Sequence, residues 1–548
     1  MRAPEPVAAT GMPLAQESAA TGRPPARSAP LPLVHPSIVA MLEHTCVDFP
    51  DQAALVMGNE RLNYRQLRCA TITLARDLRG AGVQGARVAT VLSNTMLAAV
   101  LPYAIAASGA QHVPLNPLYT ARELRYMLHD SQPRLLIVSD AMMVRLRELA
   151  QALPGCTMIA ASQVAQRLHG PMPSDLAQDL LDWMPDPDAM AILQYTGGSS
   201  GFPKGVNLSH RAISTNVSQR EGLLPVPRGT ERVVCVMPLF HSYAMAMGLF
   251  LCGYSGNTLV ILSHYQPQLL LDAIGKDGIT IFPGSPTIFT GLLAHAAFAA
   301  TDWSRVHTCY SGSAALPAHT LQAWRSATGA PIFEGYGQTE AGPVLTFNPA
   351  CGPVKAGSVG IAVAATEVQV VDIETGTTPV RVGERGEIRA RGPQVMAGYL
   401  NRPDDTAESL RDGWLYTGDI GEFDDDGYLY IRDRKKDLVI VGGFNVYPRE
   451  IEEVLFTHPD VVDAAVVGQP DAYRGEILRA FVVLRAGAML DAAAMLDFCR
   501  ENLARYKLPA RIEQLEALPK TTVNKTDKKV LKARVQAEAA PAAGQQRG

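Results

Sequence analysis

No CxxC pair occurs in this 548-residue chain. Its eight cysteines stand far apart, at positions 46, 69, 156, 235, 252, 309, 351 and 499, so their spacing signals neither a zinc site nor a redox dithiol. A disulfide scaffold is excluded at this size, and reduced thiols in a cytoplasmic protein are expected. Charge of one sign is also lacking: 49 Lys and Arg against 53 Asp and Glu give a formal −4. A nucleic-acid partner, which announces itself by a basic surplus, is therefore not expected. Residues 1–34 are rich in Ala and Pro and lack the apolar core of a signal peptide; a disordered leader over 1–35 is expected instead. Residues 88–121 and 233–271 carry no formal charge, but Gly, Pro, Asn, Ser and His punctuate both. They read as buried strands and helices rather than as a transmembrane span.

What is present is ordinary globular material. Hydrophobic residues make up 47% and charged residues 19%, enough to bury a sizeable core. The length allows three or four units of about 150 residues, or a large body with a smaller domain. From residue 37 onward, strand-like runs alternate with helical ones: ARVATVLSN (86–94) before an alanine-rich helix near 98–107, then RLLIVSD (134–140), NTLVILS (257–263), ITIFPGS (279–285) and TCYSGSA (308–314). That alternation predicts an α/β fold of doubly wound parallel sheets. Between about 355 and 432, short strands broken by Gly and Asp predict an appended antiparallel sheet or small β-barrel-like subdomain. The polar run DRKKD (433–437) ends this N-terminal domain, 36–432. A compact α+β domain follows over 438–535, with a helix from about 450, strands at 463–469 and 478–485 and a helix across 492–503. The last residues, 536–548, read as a frayed tail, and there is no internal repeat.

The most informative stretch is YTGGSSGFPKGV (195–206). It follows an apolar run, so a strand leads into a loop where glycines let successive N–H groups point into one concavity and Thr196, Ser199 and Ser200 add donors. Such a nest suits polyphosphate, although an isolated Gly-rich loop can equally be a flexible surface turn. It is not a Walker A loop, because Pro203 precedes Lys204 and Gly205 follows it.

Taken with four further motifs, this loop resembles the phosphate loop, YTSGTTGxPKG, of the adenylate-forming superfamily of acyl-CoA synthetases, peptide-synthetase adenylation domains and luciferase; Gly197 replaces its usual Ser. FEGYGQTEAG (333–342) resembles the second signature, WLYTGDIG (414–421) the third, DRKKDLVIVGGFNVYPREIEEVL (433–455) the fourth and LPKTTVNK (518–525) the last. The part from 333 onward is most similar to bacterial medium- and long-chain fatty acyl-CoA ligases. The resemblance implies two doubly wound sheets in the N-terminal domain, a hinge at 433–437 and a mobile C-terminal domain. It also implies ATP, Mg²⁺ and CoA as cofactor and co-substrates.

Site roles follow from the same resemblance. ATP or AMP would be bound by Thr196, Gly197, Gly198, Ser199, Ser200, Gly201 and Lys204 of the first loop, and by Gly312, Ser313 and Ala314 of GSAA. The second signature would add Glu334, Gly335, Tyr336, Gly337, Gln338 and Thr339, with Tyr336 offering a face to adenine and Thr339 donating to the α-phosphate. Glu340 would ligate Mg²⁺, as a hard hydrated ion takes one or two carboxylates. Asp419, alone a cap or Asx-turn residue, becomes within YTGDIG an acceptor for the ribose hydroxyls, with Arg434 supporting the same sugar. Lys525 would place a cation on the attacking carboxylate and α-phosphate; Asn524 stands where the family has Gly. Thr196, Glu340 and His241 complete the expected catalytic set. The neighbouring Lys528, Lys529 and Lys532 read as a solvated helix face.

Lys436 resembles the hinge residue, and Gly442 and Gly443 would let pantetheine pass close to the backbone, unless they form a simple β-turn. His241, in PLFHSYAMAMG, stands where amino-acid-activating relatives carry Asp; it suits a plain carboxylate, or else is a satisfied core histidine. The expected activity is ATP-dependent acid:CoA ligation through an acyl-AMP, with a medium- to long-chain fatty acid as substrate. The alternatives are a stand-alone adenylation enzyme loading a carrier protein, a luciferase-like oxidoreductase and a non-catalytic acyl- or nucleotide-binding protein. The partners are then a small carboxylic acid, ATP and CoA or an acyl-carrier protein; the chain is compatible with peripheral membrane contact and with a monomer or homodimer.

Overall fold

The structure is a computed structural model that describes residues 31–169, 182–196, 203–442, 444–471, 473–521 and 525–539. Two large sheets form its body. One has seven strands in the order Gly398–Tyr399, Lys204–Ser209, Met190–Thr196, Gln111–Leu115, Arg87–Val91, Leu135–Val138 and Thr157–Ala160. The other has nine, in the order Ile361–Ala362, Val344–Phe347, Ile332–Gly337, Thr308–Ser311, Ile281–Gly284, Arg232–Cys235, Thr258–Ile261, Ala53–Met57 and Glu60–Asn63. Parallel pairing runs through the middle of both, with antiparallel strands at both edges of the nine-stranded sheet and at one edge of the seven-stranded one.

The helix Met96–Ala107 touches Gln111–Leu115 of one sheet and Ala53–Met57 of the other. Lying between two sheets, it buries every side chain except that of Ala98, and this is why residues 88–121 need no charge. Its start is set by Thr95, whose hydroxyl accepts from Ala98 N–H at 3.1 Å. The second uncharged stretch resolves likewise into strands Arg232–Cys235 and Thr258–Ile261 joined by short helical turns. Among the described residues no helix is long and apolar enough to cross a membrane. All eight cysteines are free.

The predicted small subdomain is a five-stranded antiparallel sheet in the order Glu367–Val371, Gly386–Arg391, Trp414–Phe423 and Leu410–Arg411, with Leu429–Arg434 pairing the long third strand. The chain then crosses a single turn of 3₁₀ helix, Lys435–Asp437, into the C-terminal unit. There the long strands Val461–Asp471 and Gly475–Leu484 carry one core under the helices Pro448–Phe456 and Ala492–Asn502. A second core, around Phe481, Leu531 and Val535, lies under the helix Lys528–Ala539.

That last helix changes two expectations. It runs four residues past Val535, where the tail was expected to begin, because Val535 is buried and Glu538 pairs with Arg479 at 3.0 Å. Its lysines are not a simple solvated face either. Lys528 reaches Glu452 at 2.7 Å and Lys532 reaches Asp437 at 2.6 Å, so the helix is tied by charge to its own domain and to the 3₁₀ turn.

Candidate active site

The site gathers where the two large sheets, the small sheet and the C-terminal domain meet. The strand Met190–Thr196 delivers Thr196, anchored one residue earlier by Tyr195, whose hydroxyl donates to Asp130 Oδ2 at 2.7 Å and to Met127 O at 3.1 Å. Gly197, Gly198, Ser199, Ser200 and Gly201 lie outside the described residues. Thr196 Oγ1 lies 3.4 Å from Glu340 Oε1, and Tyr399, which the sequence reading missed, donates to that same oxygen at 2.9 Å. Lys204 pairs with Asp405 and sits 5.1 Å from the centre of the Tyr399 ring.

The second signature is the end of strand Ile332–Gly337 and the turn Thr339–Ala341. Gly335 and Gly337 are required by space. A Cβ on Gly335 would come within 2.4 Å of Phe347, and one on Gly337 within 1.8 Å of Pro343 O. Thr339 exchanges a hydrogen bond with Ser242 at 3.2 Å, joining this turn to the segment after His241. Glu334 is buried and accepts Leu316 N–H at 2.9 Å, just past Gly312, Ser313 and Ala314. Burial raises its carboxyl to about 7, against the Leu316 amide and the charge of Arg449. Gly312 packs on Tyr243: a Cβ there would lie 2.9 Å from the ring.

Asp419 is the hub of the third motif. Tyr336 O–H donates to its Oδ2 at 2.7 Å, and Arg434 Nε lies 3.1 Å from its Oδ1. The pairing is geometric, because Asp419 and Arg434 are opposite one another in the ladder between Trp414–Phe423 and Leu429–Arg434. Burial and the Asp419 charge together push the Tyr336 hydroxyl well above its ordinary range.

The C-terminal domain brings Lys525 to this hub. Burial lowers its ammonium to about 8, helped by the charge of Arg434 and opposed by Asp419. His241 feels the same cation: burial first, then Lys525, lower its imidazole to about 4, so it is neutral at pH 7. The domain is held in this orientation by charge. Glu450 takes Arg385 at 3.4 Å, Lys435 reaches the buried Glu387 at 2.7 Å, and Arg449 N–H donates to Asp433 at 3.0 Å. Gly442, by contrast, is exposed, with φ at +56° and nothing within 4 Å of a Cβ; Gly443 lies outside the described residues. Lys436 sits in the 3₁₀ turn between the two domains, its carbonyl accepting from Lys532 Nζ at 3.3 Å.

Residues 42–400 match the AMP-binding enzyme family, and residues 450–525 match the AMP-binding enzyme C-terminal domain. This chain belongs to the AMP-binding enzymes. It is similar to the long-chain-fatty-acid–CoA ligase of Bacillus subtilis (strain 168), 36% identical over 529 residues that cover 90% of this chain and 94% of that one. It is also similar to a feruloyl-CoA synthase of Amycolatopsis sp, 34% identical over 477 residues covering 86% and 94%. The crystal structure of ATP-bound MatB from Rhodopseudomonas palustris superposes with a TM-score of 0.85 at 30% identity, over 92% of this chain and 100% of that one. This AMP-binding enzyme is thus an acid–thiol ligase working through an acyl-AMP, as its sequence motifs led one to expect.

The AMP-binding enzymes imply Mg²⁺, and the donor set fits it. Both hydrogen bonds to the Glu340 carboxylate fall on Oε1, leaving Oε2 for a hard cation among the described residues. Among the described residues no cluster of three or more His, Cys, Asp or Glu builds an all-protein cage there. One carboxylate plus substrate phosphates is how Mg²⁺ is usually held.

A pH dependence follows from Lys525. A lysine lowered to about 8 is cationic below that value and neutral above it. Adenylation kcat/KM, which reports free-enzyme titrations, is expected to fall as pH rises through this point. Arginine stays charged throughout, so Lys525→Arg should flatten the alkaline limb even if its rate is lower. Pyrophosphate release followed from about pH 6.5 to about 10 checks it. An unchanged limb in the arginine variant would move the titration to another group.

Proposed function

We propose that the acid is a fatty acid of medium to long chain and that CoA, not a carrier protein, takes the acyl group. The observation that carries this reading is the wall behind His241. Residues 242–249 (SYAMAMGL) are all buried and contain no formal charge, and the Met245–Leu249 part is wound as a π-helix, a form often found at functional sites. A neutral His241 at the mouth of an apolar wall suits one carboxylate with a greasy tail. It offers no partner to an ammonium group, whose unpaired burial is costly.

In the proposed reaction, the carboxylate attacks the α-phosphorus of ATP and pyrophosphate leaves; CoA sulfur then attacks the acyl carbonyl and AMP leaves. Mg²⁺, when bound, would neutralise phosphate charge beside Glu340. Lys525 supplies a cation where two anions converge. Thr196, Lys204 and Thr339 face the phosphates, and Asp419 with Arg434 holds the ribose. Tyr336, already committed to Asp419 through its hydroxyl, leaves its ring for the base. Gly442 lines the pantetheine path after the C-terminal domain rotates about Lys436.

The test is kcat/KM over straight-chain acids from about C4 to C18 beside ferulate, benzoate and phenylalanine, with CoA as acceptor. Each buried methylene contributes about 0.8 kcal/mol, so the series should rise about threefold to fourfold per carbon until the proposed acyl site is full. The similarity to a feruloyl-CoA synthase makes an aromatic acid the second reading. A flat aliphatic series with strong ferulate turnover would establish it and sink the fatty-acid reading.

A further inference from the structure

One stretch outside every motif touches both ends of the phosphate site. Within residues 396–406, positions 397–400 bond along the edge of the seven-stranded sheet and lead into the helix Pro403–Ser409. Gly398 and Tyr399 pair with Asn207 and Val206, and Leu400 N–H donates to Gly205 O at 2.8 Å, next to Lys204. Met396 N–H donates to the carbonyl of Glu340 at 2.9 Å. The side chains repeat the connection. Tyr399 O–H bonds the Glu340 carboxylate at 2.9 Å, and the Lys204 ammonium lies over the same ring while pairing with Asp405.

The geometry of this stretch is built rather than incidental. Thr406 Oγ1 accepts Tyr399 N–H at 2.9 Å and donates to Arg402 O at 2.8 Å, which fixes Tyr399 against the helix Pro403–Ser409 that carries Asp405. At Gly398, φ is +137° and a Cβ would come within 2.9 Å of Thr406 Cγ2, so no side chain separates the two. Lys204 and Asp405 are only 12% and 22% exposed, so the ion pair is sheltered.

We propose that this segment presets the phosphate site: Tyr399 positions the Glu340 carboxylate, and Asp405 is a counter-charge that holds Lys204 until the triphosphate takes it. The proposal rests on reading Glu340 as the metal-ligating carboxylate and Lys204 as a phosphate-loop cation. A tyrosine hydroxyl on Oε1 fixes the carboxylate plane, the way outer hydrogen bonds orient metal ligands. Asp405 keeps the lysine ordered in the empty site and competes, with one charge, against a polyphosphate that carries several. When pyrophosphate leaves, the same carboxylate recovers the lysine.

The experiment measures binding of α,β-methylene-ATP to the full chain by calorimetry, with Mg²⁺ titrated from zero. Tyr399→Phe should raise the Mg²⁺ concentration for half-maximal binding about tenfold, leaving metal-free affinity and Tm unchanged. Asp405→Asn keeps the shape and removes the charge. It should tighten metal-free binding about threefold, the scale of releasing one partly screened ion pair. Glu340→Gln and Lys204→Ala test the underlying reading: if neither weakens analogue binding, that reading of the site falls. If both weaken it while Tyr399→Phe leaves the Mg²⁺ dependence unmoved, or Asp405→Asn weakens binding, the presetting role is overturned.

Discussion

Lys525→Ala is expected to slow acyl-adenylate formation by about 10²–10³-fold while leaving thioester formation from supplied acyl-AMP nearly intact. The first half rests on position. Lys525 is the cation that the C-terminal domain adds to Asp419 and Arg434, and its charge reaches His241, next to the buried apolar stretch 242–249. Removing one preorganised charge or donor from such a site typically costs a factor of that size. Truncation also leaves the Asp419–Arg434 pair, so the proposed ribose subsite should survive and KM for ATP should change much less than kcat. The second half follows from the proposed rotation about Lys436, which would carry Lys525 out before CoA arrives. Pyrophosphate release with acid and ATP reads the first step, and conversion of synthetic acyl-AMP with CoA reads the second. Equal losses in both assays would remove Lys525 from the adenylation step.

The sequence disclosed the site in proportion to how local its parts are. Asp419 and Arg434 belong to neighbouring strands, and Thr339 and Glu340 to one turn, so short motifs hold them and the structure brings them together. The strand-and-helix alternation located the two sheets for the same reason: a strand buried on both faces must be a continuous apolar run. What stayed hidden depends on pairings far apart in the chain. Tyr399 reaches Glu340 across 59 residues, and Asp405 reaches Lys204 across 201. Nothing in GYLNRPDD separates a charge that holds a loop lysine from one that merely solvates a helix. The lysines of the last helix misled for the opposite reason, since a cationic stripe looks solvated until Glu452 and Asp437 arrive from elsewhere.

The orientation of the C-terminal domain was equally illegible, because it rests on scattered ion pairs rather than on a packed apolar face. Glu450 with Arg385 and Lys507, and Lys435 with Glu387, cross or flank the boundary while the apolar cores of the two domains remain separate. Partly exposed pairs are individually weak and screened by salt. An interface of this kind holds one orientation without forbidding another, which is what the proposed rotation about Lys436 requires.

Lys436→Pro should therefore separate the two orientations. Residues Lys435–Asp437 form a 3₁₀ turn, a conformation with φ near −50 to −70°, which is the angle proline fixes at position 436. The substitution leaves the Lys436 carbonyl, which takes Lys532, and the Asp437 pairing with Lys532 in place. The orientation seen here is thereby favoured, and the rotated one, which needs a different backbone angle at the hinge, becomes hard to reach. Acyl-AMP formation should stay within about threefold of the parent, whereas steady-state CoA ligation should fall by about 100-fold or more, since a lost conformational step limits every turnover. The acyl-AMP should then accumulate in near-stoichiometric amount on the protein. A single-turnover quench that separates acyl-AMP from acyl-CoA makes the measurement. Unchanged CoA ligation by the folded variant would show that the domain does not turn about this residue, and Gly442 would have to reach the thioester step by another route.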